Sequence, residues 1–168
     1  MTKRSSKVYA RNAKRRDGYL DSQSWTNFWD GMRIDWDVPI MMDDSLVLRC
    51  DVFRPVEDGK YPVIMSYGPY GKFLQFDDPV FGDQWRRMCE QHPDVPAGSS
   101  NKYQNWEVVD PEKWVPDGYI VIRVDSRGAG RSPGILDIWS AREAKDQALC
   151  IEWAGVQSWS NVGTPQSS

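Results

Sequence analysis

Two short stretches of this chain are apolar at successive rather than alternate positions: Val63-Ile64-Met65, and Tyr119-Ile120-Val121-Ile122 with Val124 just beyond. A strand without alternation has no face to give to water, so it belongs in a sheet covered on both sides, the usual setting of parallel strands. A helix is expected between them. Asp78 and Pro79 supply an N-cap and a first-turn proline, and Phe81, Trp85, Met88 and Cys89 then share one apolar face. Strand, helix and parallel strand make the unit from which doubly wound α/β folds are built.

The residues before this unit follow the opposite pattern. Ile34, Trp36, Val38, Ile40 and Met42 alternate with other residues, Asp35 and Asp37 among them. Leu46, Leu48, Cys50 and Val52 do the same after the turn residues Asp43, Asp44 and Ser45. The two runs predict an antiparallel hairpin, and Pro39 places its strand at an edge because proline cannot donate to a ladder. Further on, Ser140 and Glu143 form a capping box that opens a helix ending near Gly155. Ala141, Ala144, Ala148 and Ile151 are expected on its apolar face, with Arg142 and Asp146 one turn apart on an exposed side. Residues 91–111, rich in Pro, Ser and Asn, read as a long surface excursion able to carry part of a site. The fold class is therefore α/β: a mixed sheet with an N-terminal antiparallel hairpin, followed by parallel strands and helices. One domain is expected over residues 25–168, behind a basic, disordered arm over residues 1–24.

Composition closes off several functions. The chain carries 21 Lys and Arg against 24 Asp and Glu, and a net charge of −3 gives no whole-chain attraction to nucleic acid. The cations that do cluster (Lys3, Arg4, Lys7, Arg11, Lys14, Arg15 and Arg16) lie in the arm, which leaves organellar targeting open. No apolar run approaches a membrane span and the N-terminus has no signal-peptide core, so a cytoplasmic protein without a membrane partner is expected. Cys50, Cys89 and Cys150 are odd in number and far apart, which argues against disulfides; they read as small apolar residues. With His92 the sole histidine, neither a metal nor any other cofactor is expected. The nine tryptophans are spread over every element and mostly lack neighbouring Lys or Arg clusters. They suit core and pocket lining better than stacking on single-stranded nucleic acid.

The most specific local signal follows the second apolar strand: Val124-Asp125-Ser126-Arg127-Gly128-Ala129-Gly130-Arg131-Ser132-Pro133-Gly134. Glycines here permit positive φ angles and close backbone approach. One reading is a nucleotide-binding α/β protein whose 128–134 glycine loop cradles phosphate on helix N-terminal amides. Pro133 interrupts that pattern, the helix begins only near Ser140, and Asp125 would repel a phosphate. The favoured reading is a structural turn built on Asp125, Arg127, Gly128 and Gly130. Its carboxylate and guanidinium would lock the loop through charge-assisted hydrogen bonds, with Asp125 as a catalytic base the lesser alternative.

The residues Asp125-Ser126-Arg127-Gly128, Gly130, Ser132 and Gly134 resemble the Asp-x-Arg-Gly-x-Gly-x-Ser-x-Gly turn of the CocE/NonD family of serine hydrolases. This family comprises cocaine esterase and the peptidase S15-like X-Pro dipeptidyl-peptidases. Pro69-Tyr70-Gly71-Lys72 resembles its Pro-Tyr-x-Lys motif. Ile151-Glu152-Trp153 and Gln157-Ser158-Trp159-Ser160-Asn161 resemble its Glu-Trp and Gln-Pro-Trp-Ser-Asn-Gly stretches. Each motif alone is weak, but four in the right order, in register from about Trp29 to Asn161, are specific together.

The resemblance implies an α/β-hydrolase fold and hydrolysis of small ester, amide or peptide substrates through an acyl-enzyme, with a Ser-Asp-His triad. It assigns Tyr70 as the hydroxyl donor of the oxyanion hole, a role worth about 2.7–4 kcal/mol for a comparable donor. The family then continues to Gly-x-Ser-Tyr-x-Gly, whose serine sits on a strained strand-to-helix elbow. Here Asn161 is followed by Val162-Gly163-Thr164-Pro165-Gln166-Ser167-Ser168, and neither terminal serine stands at an elbow. His92, in a loop before Pro93, has no elbow serine to serve. The expectation is the N-terminal part of a truncated α/β-hydrolase domain that ends before the nucleophile elbow. Without nucleophile, acid and base it would be inactive alone, and it would leave an apolar sheet edge open beside Val63 to Tyr67. The rival reading is a non-enzymatic interaction module that pairs this open edge with a partner chain.

Overall fold

Ile120–Asp125 is buried at all six positions, and the rest of the sheet is arranged around it. The computed structural model of the chain describes residues 23–70, 72, 74–76 and 82–161. All but the last two residues of the basic arm, and the expected helix start at Asp78-Pro79, lie outside the described residues. Trp25–Trp29 (β1), Met32–Met41 (β2), Val47–Pro55 (β3), Val63–Gly68 (β4) and Ile120–Asp125 (β5) form one sheet in the order β1-β2-β3-β5-β4. β4 and β5 are parallel and the other pairs antiparallel, so the sheet is mixed and of the expected α/β class. Gly82–Gln91 (α1), Pro111–Trp114 (α2) and Ala141–Gly155 (α3) are the described helices.

The hairpin of β2 and β3 forms as the alternation predicts. A second hairpin, β1 with β2, was not anticipated. It turns on Asp30 and Gly31, both at positive φ (53° and 75°), the pairing that a two-residue turn matched to strand twist requires. β1 covers β2 only from Met32 to Trp36, so at Pro39 β2 is an edge strand, where a missing N–H costs nothing.

Between Asp35 and Val38 the register of β2 slips: Asp35 faces Val52 but Val38 faces Cys50, one residue more on β2 than on β3. This is a β-bulge, with Asp37 at φ 53°. Its consequence is that two consecutive residues, Trp36 and Asp37, are both buried.

Alternation in β3 and β5 divides the core between the two faces. Ile40, Leu48, Cys50, Val52, Ile120 and Ile122 lie on one face with Cys150 and Ala154 of α3. On the other, Ile34, Trp36, Phe53 and Val121 pack with Tyr103 and Val115. The long excursion is thus a cover for the second face as well as a surface feature, with Tyr103 fully buried edge-on against Phe53.

Helix α3 begins and ends where expected. Ser140 Oγ accepts from the Glu143 amide at 3.1 Å, and the Glu143 carboxylate reaches back to the Trp139 amide at 2.7 Å. Its buried face is different from the one expected. Asp146, Cys150 and Ala154 turn inward, while Ala141, Ala144 and Ala148 are exposed and Ile151 is 51% exposed. Alanines bury little area, and an ion pair to Asp146, described below, draws the other side down. Arg142 does meet Asp146, at 2.5 Å, but that carboxylate is buried rather than on an exposed side. Trp139 likewise departs from the core-lining expectation, being 94% exposed.

β4 is only partly buried along its length, unlike β5. Its outer side begins to be covered at one end. The Tyr61 amide donates to the Trp159 carbonyl at 2.9 Å and the Asn161 amide to the Tyr61 carbonyl at 3.1 Å, a parallel bridge between residues 61 and 160. Beyond it, no described residue pairs with the outer edge of Val63–Gly68. An open edge with apolar side chains is a template for further pairing. The isolated chain is therefore expected to self-associate in sedimentation velocity, and Ile64→Lys on that edge to shift it toward monomer. A monomer with a sharp cooperative melt would contradict this.

Candidate active site

Parallel strands in α/β sheets present their carboxyl ends to a common crevice, and both β4 and β5 end at one here. The cleft is shallow, with a volume of about 80 Å³. Tyr67 and Tyr70 from the end of β4, Lys72, Arg123 of β5, and Trp106 and Glu107 of the excursion line it. Tyr70 is half exposed and is one of the residues that line the cleft. Glu107 holds a left-handed backbone at φ 58°.

The segment that carries Tyr70 is tied down on both sides. Before it, the Gly68 carbonyl accepts from the Ser126 amide at 3.1 Å. After it, the Lys72 amide donates to Asp125 Oδ1 at 2.6 Å and the Lys72 carbonyl accepts from Asn105 Nδ2 at 2.6 Å. Pro69 removes one further backbone freedom in between.

The Lys72 side chain runs into the interior and is 1% exposed. Its Nζ donates to Asp37 Oδ1 at 2.5 Å and to Asp51 Oδ1 at 2.7 Å. The bulge in β2 makes this meeting possible by turning Asp37 inward, and the Asp37 amide itself donates to Asp51 Oδ1 at 2.9 Å. Arg131 closes the far side with its Nη1 at 3.0 Å from Asp37 Oδ2. Burial alone would lower the pKa of Lys72, but Asp51, Asp125 and Asp37 together hold it above the ordinary lysine range. Burial raises the Asp51 carboxyl despite the attraction of Lys72.

Asp125 acts as a staple. Beside the Lys72 amide on Oδ1, its Oδ2 accepts from the Arg131 amide at 2.8 Å, and its carbonyl accepts from Ser132 Oγ at 2.6 Å. Gly130, at φ 52°, lies against this carboxylate so closely that a Cβ would collide with it. Gly128 is packed the same way against the backbone of Ile135 and Leu136. Asp125 and Arg127 do not form the pair anticipated between them. Arg127 instead makes two hydrogen bonds to Asp146 of α3, at 2.7 and 3.2 Å, and an ion pair to Asp44 at 2.9 Å. Each residue locks a different junction because β5 ends with Asp125 turned to one face and the chain turning away beneath α3.

Several other residues are excluded from chemistry by their surroundings. Gly130-Arg131-Ser132-Pro133-Gly134 has the formal Gly-x-Ser-x-Gly spacing of a nucleophile elbow. Ser132 is buried, and its hydroxyl is committed to the Asp125 carbonyl and to the Arg49 amide, which donates to it at 2.9 Å. His92 is exposed at the end of α1 and does not line the cleft. Burial pushes the Cys150 thiol up to about 12 and raises Cys50 and Cys89 too, so none is an activated thiolate. Among the described residues no group of His, Cys, Asp or Glu could hold a metal ion.

Burial, only partly offset by Lys72 and two backbone donors, pushes the Asp125 carboxyl up to about 6. A carboxyl raised in the folded state contributes most to stability below its unfolded value near 4, and that contribution is lost as pH rises through about 6. Carboxyl-detected NMR of the chain should show Asp125 titrating near 6, and Lys72→Met should move it higher because an attracting charge is removed. A midpoint at or below the model-peptide value would refute this account of the staple.

Comparison with known proteins agrees with this arrangement. Residues 44–164 match the family described as X-Pro dipeptidyl-peptidase (S15 family). Cocaine esterase from Rhodococcus sp. (strain MB1 Bresler) is 29% identical over 130 residues, which are 75% of this chain and 18% of that protein. Crystal structures of a CocE/NonD family hydrolase from Staphylococcus aureus superpose with TM-scores of 0.62 and 0.64 at 38% and 34% identity. They cover 77% and 85% of this chain and 21% and 25% of theirs. The chain thus spans about a fifth to a quarter of the length of these relatives, and it contains both the Tyr70 segment and the Asp125–Gly134 turn within the matched region. The chain belongs to the X-Pro dipeptidyl-peptidase (S15) family of hydrolases.

Proposed function

We propose that this chain supplies the oxyanion side of a serine hydrolase acting on small ester, amide or peptide substrates. The supporting observation is Tyr70: a tyrosine just past the carboxyl end of a parallel strand, lining the cleft, with the backbone held on both flanks. A hydroxyl fixed in this way meets charge that develops on a substrate carbonyl oxygen without having to reorganise at the moment of reaction. The cocaine esterase resemblance and the CocE/NonD neighbours support the same assignment. Nucleophile, acid and base would come from residues outside this sequence, and residues 1–168 alone would not turn over substrate.

Nucleotide binding through the 128–134 loop has less support. The amides of Gly128, Ala129, Arg131 and Ser132 are already donated to Pro133, Ser126, Asp125 and Ala129, and a carboxylate occupies the turn. A binding module that pairs through β4 remains the rival, favoured by the open edge of that strand. The two readings differ in what they require of Tyr70.

In the complete hydrolase carrying these residues, Tyr70→Phe is expected to lower kcat on a p-nitrophenyl ester by about 10²–10³ with little change in KM. An unchanged kcat would remove Tyr70 from the oxyanion hole. Residues 1–168 by themselves should show no turnover of the same ester. Turnover abolished by Tyr70→Phe in the isolated chain would overturn the assignment of the triad to residues elsewhere.

A further inference from the structure

We infer that Lys72 is the positioning residue of the oxyanion donor: its buried ammonium, braced between Asp37 of the β2 bulge and Asp51 of β3, sets where Tyr70 stands. This rests on the reading of Tyr70 as the donor. The argument begins with the length of the linkage. Tyr70 and Lys72 are separated by one residue, so their Cα atoms can stand no more than about 7 Å apart and the place of Lys72 bounds that of Tyr70. The Lys72 backbone has two polar anchors, the Asp125 carboxylate on its amide and the Asn105 amide on its carbonyl. Its side chain adds a third from a different direction, ending 2.5 and 2.7 Å from two carboxylates on neighbouring strands.

Three anchors that do not lie along one line fix orientation as well as place. The third is the one that ties the loop to the centre of the sheet. Asp51 faces Arg123 of β5 in the ladder, and Asp37 sits in the bulge between the paired stretches of β2 on either side, so both braces stand on strands and not on loops. The bulge is the sign that this contact has a cost. It breaks the β2 ladder and forces Asp37 to a left-handed backbone to bring a carboxylate to the lysine. A buried ion pair gives weak stabilisation relative to an apolar pair of the same volume, so stability alone is a poor reason to keep it. Precise placement of a group that must act at a reacting centre is a better one, since a shift of about 1 Å can cost about 10²-fold in rate.

A lysine that merely held the fold together would affect activity whether or not Tyr70 had its hydroxyl. A lysine that acts through Tyr70 loses its effect once the hydroxyl is gone. The experiment is therefore a double-mutant cycle in the complete hydrolase carrying these residues, with kcat and KM measured on a p-nitrophenyl ester. Lys72→Met alone is expected to lower kcat by about 10–100-fold with KM changed much less. In the Tyr70→Phe background the same change should cost less than about 3-fold, within the scatter expected of residues that act as one unit. Equal losses in both backgrounds, or wild-type kcat in Lys72→Met, would overturn the proposal. Should Lys72→Met fail to give a cooperative melt, Asp51→Asn, which keeps a polar group of the same shape, carries the cycle with the same criteria. If Tyr70→Phe alone leaves kcat unchanged, the donor reading itself falls and takes this inference with it. If Tyr70→Phe is impaired and the Lys72 effect is additive, only the positioning role is lost.

Discussion

One buried ammonium organises this structure. Lys72 reaches from a loop into the sheet and meets carboxylates from β2 and β3, while its own amide is held by the carboxylate that ends β5. Removing one partner from such a group strands an uncompensated buried charge, at a cost of about 3–5 kcal/mol, which is a large share of a domain's net stability. The network also contains more acid than base, with Asp37, Asp51 and Asp125 set against Lys72 and Arg131. Burial and that crowding raise Asp51 and Asp125, so the excess negative charge is the least settled part of the cluster. The bulge in β2, the glycine at position 130 and the inward Asn105 all make sense as accommodations to this one arrangement.

A second ionic lock lies on the other face. Arg127, two residues past Asp125, grips Asp146 of α3 and Asp44 of the β2–β3 turn. Arg142 bridges the same elements, touching Asp43 and Asp146, and Lys145 also pairs with Asp43. Asp43, exposed between these two cations, is held down at about 2 by hydrogen bonds from Lys145 and Arg142. The end of β5 thus sends one residue to each face: Asp125 toward the cleft-side loop, Arg127 toward the helix. Within a strand two residues this far apart would share a face, and it is the turn after β5, closed by the Ala129 amide on the Ser126 carbonyl with Gly128 at φ 76°, that breaks the alternation and lets them serve opposite layers.

How much of this can be read from residue order depends on how local the cause is. The β2–β3 hairpin, the β4–β5 parallel unit and the Ser140 cap are dictated by neighbours within a few positions, and they form as patterned. β1 was also local, announced by Asp30-Gly31 between Trp29 and Met32, but the signal is two residues long and lies close to the arm. The face of α3 was misread because apolar periodicity favoured three alanines, whereas the decisive contact is a charge, Asp146, drawn to an arginine 19 residues earlier. The Lys72 cluster was invisible for a related reason. A lysine and two aspartates on strands look like solvent-facing residues until a one-residue bulge turns one of them inward. The Asp125 turn was visible as a structural element from its glycines, but not its partners, since backbone amides at 72 and 131 carry no residue-type signal.

The arrangement bears on how an oxyanion hole can be divided between parts of a chain. Every anchor described for Tyr70 lies between residues 37 and 131: the bulge, the β3 carboxylate, the excursion amide and the β5 staple. The place of Tyr70, the donor proposed above, is thus held by contacts among residues 37–131. A preorganised donor is effective because its dipole is oriented before the reaction begins, and the backbone beside Tyr70 is held here by contacts from β2, β3, β5 and the excursion. β4, which ends two residues before Tyr70, is also the strand whose outer edge is open and beside which Trp159 to Asn161 begin to run. A strand continuing in that direction would reach the carboxyl end of β4 next to the cleft, bringing its own end beside a donor already in place. On the reading proposed for Tyr70, the ion cluster and the open edge are two halves of one construction: the first would brace the donor from behind, and the second would leave room for the group it faces.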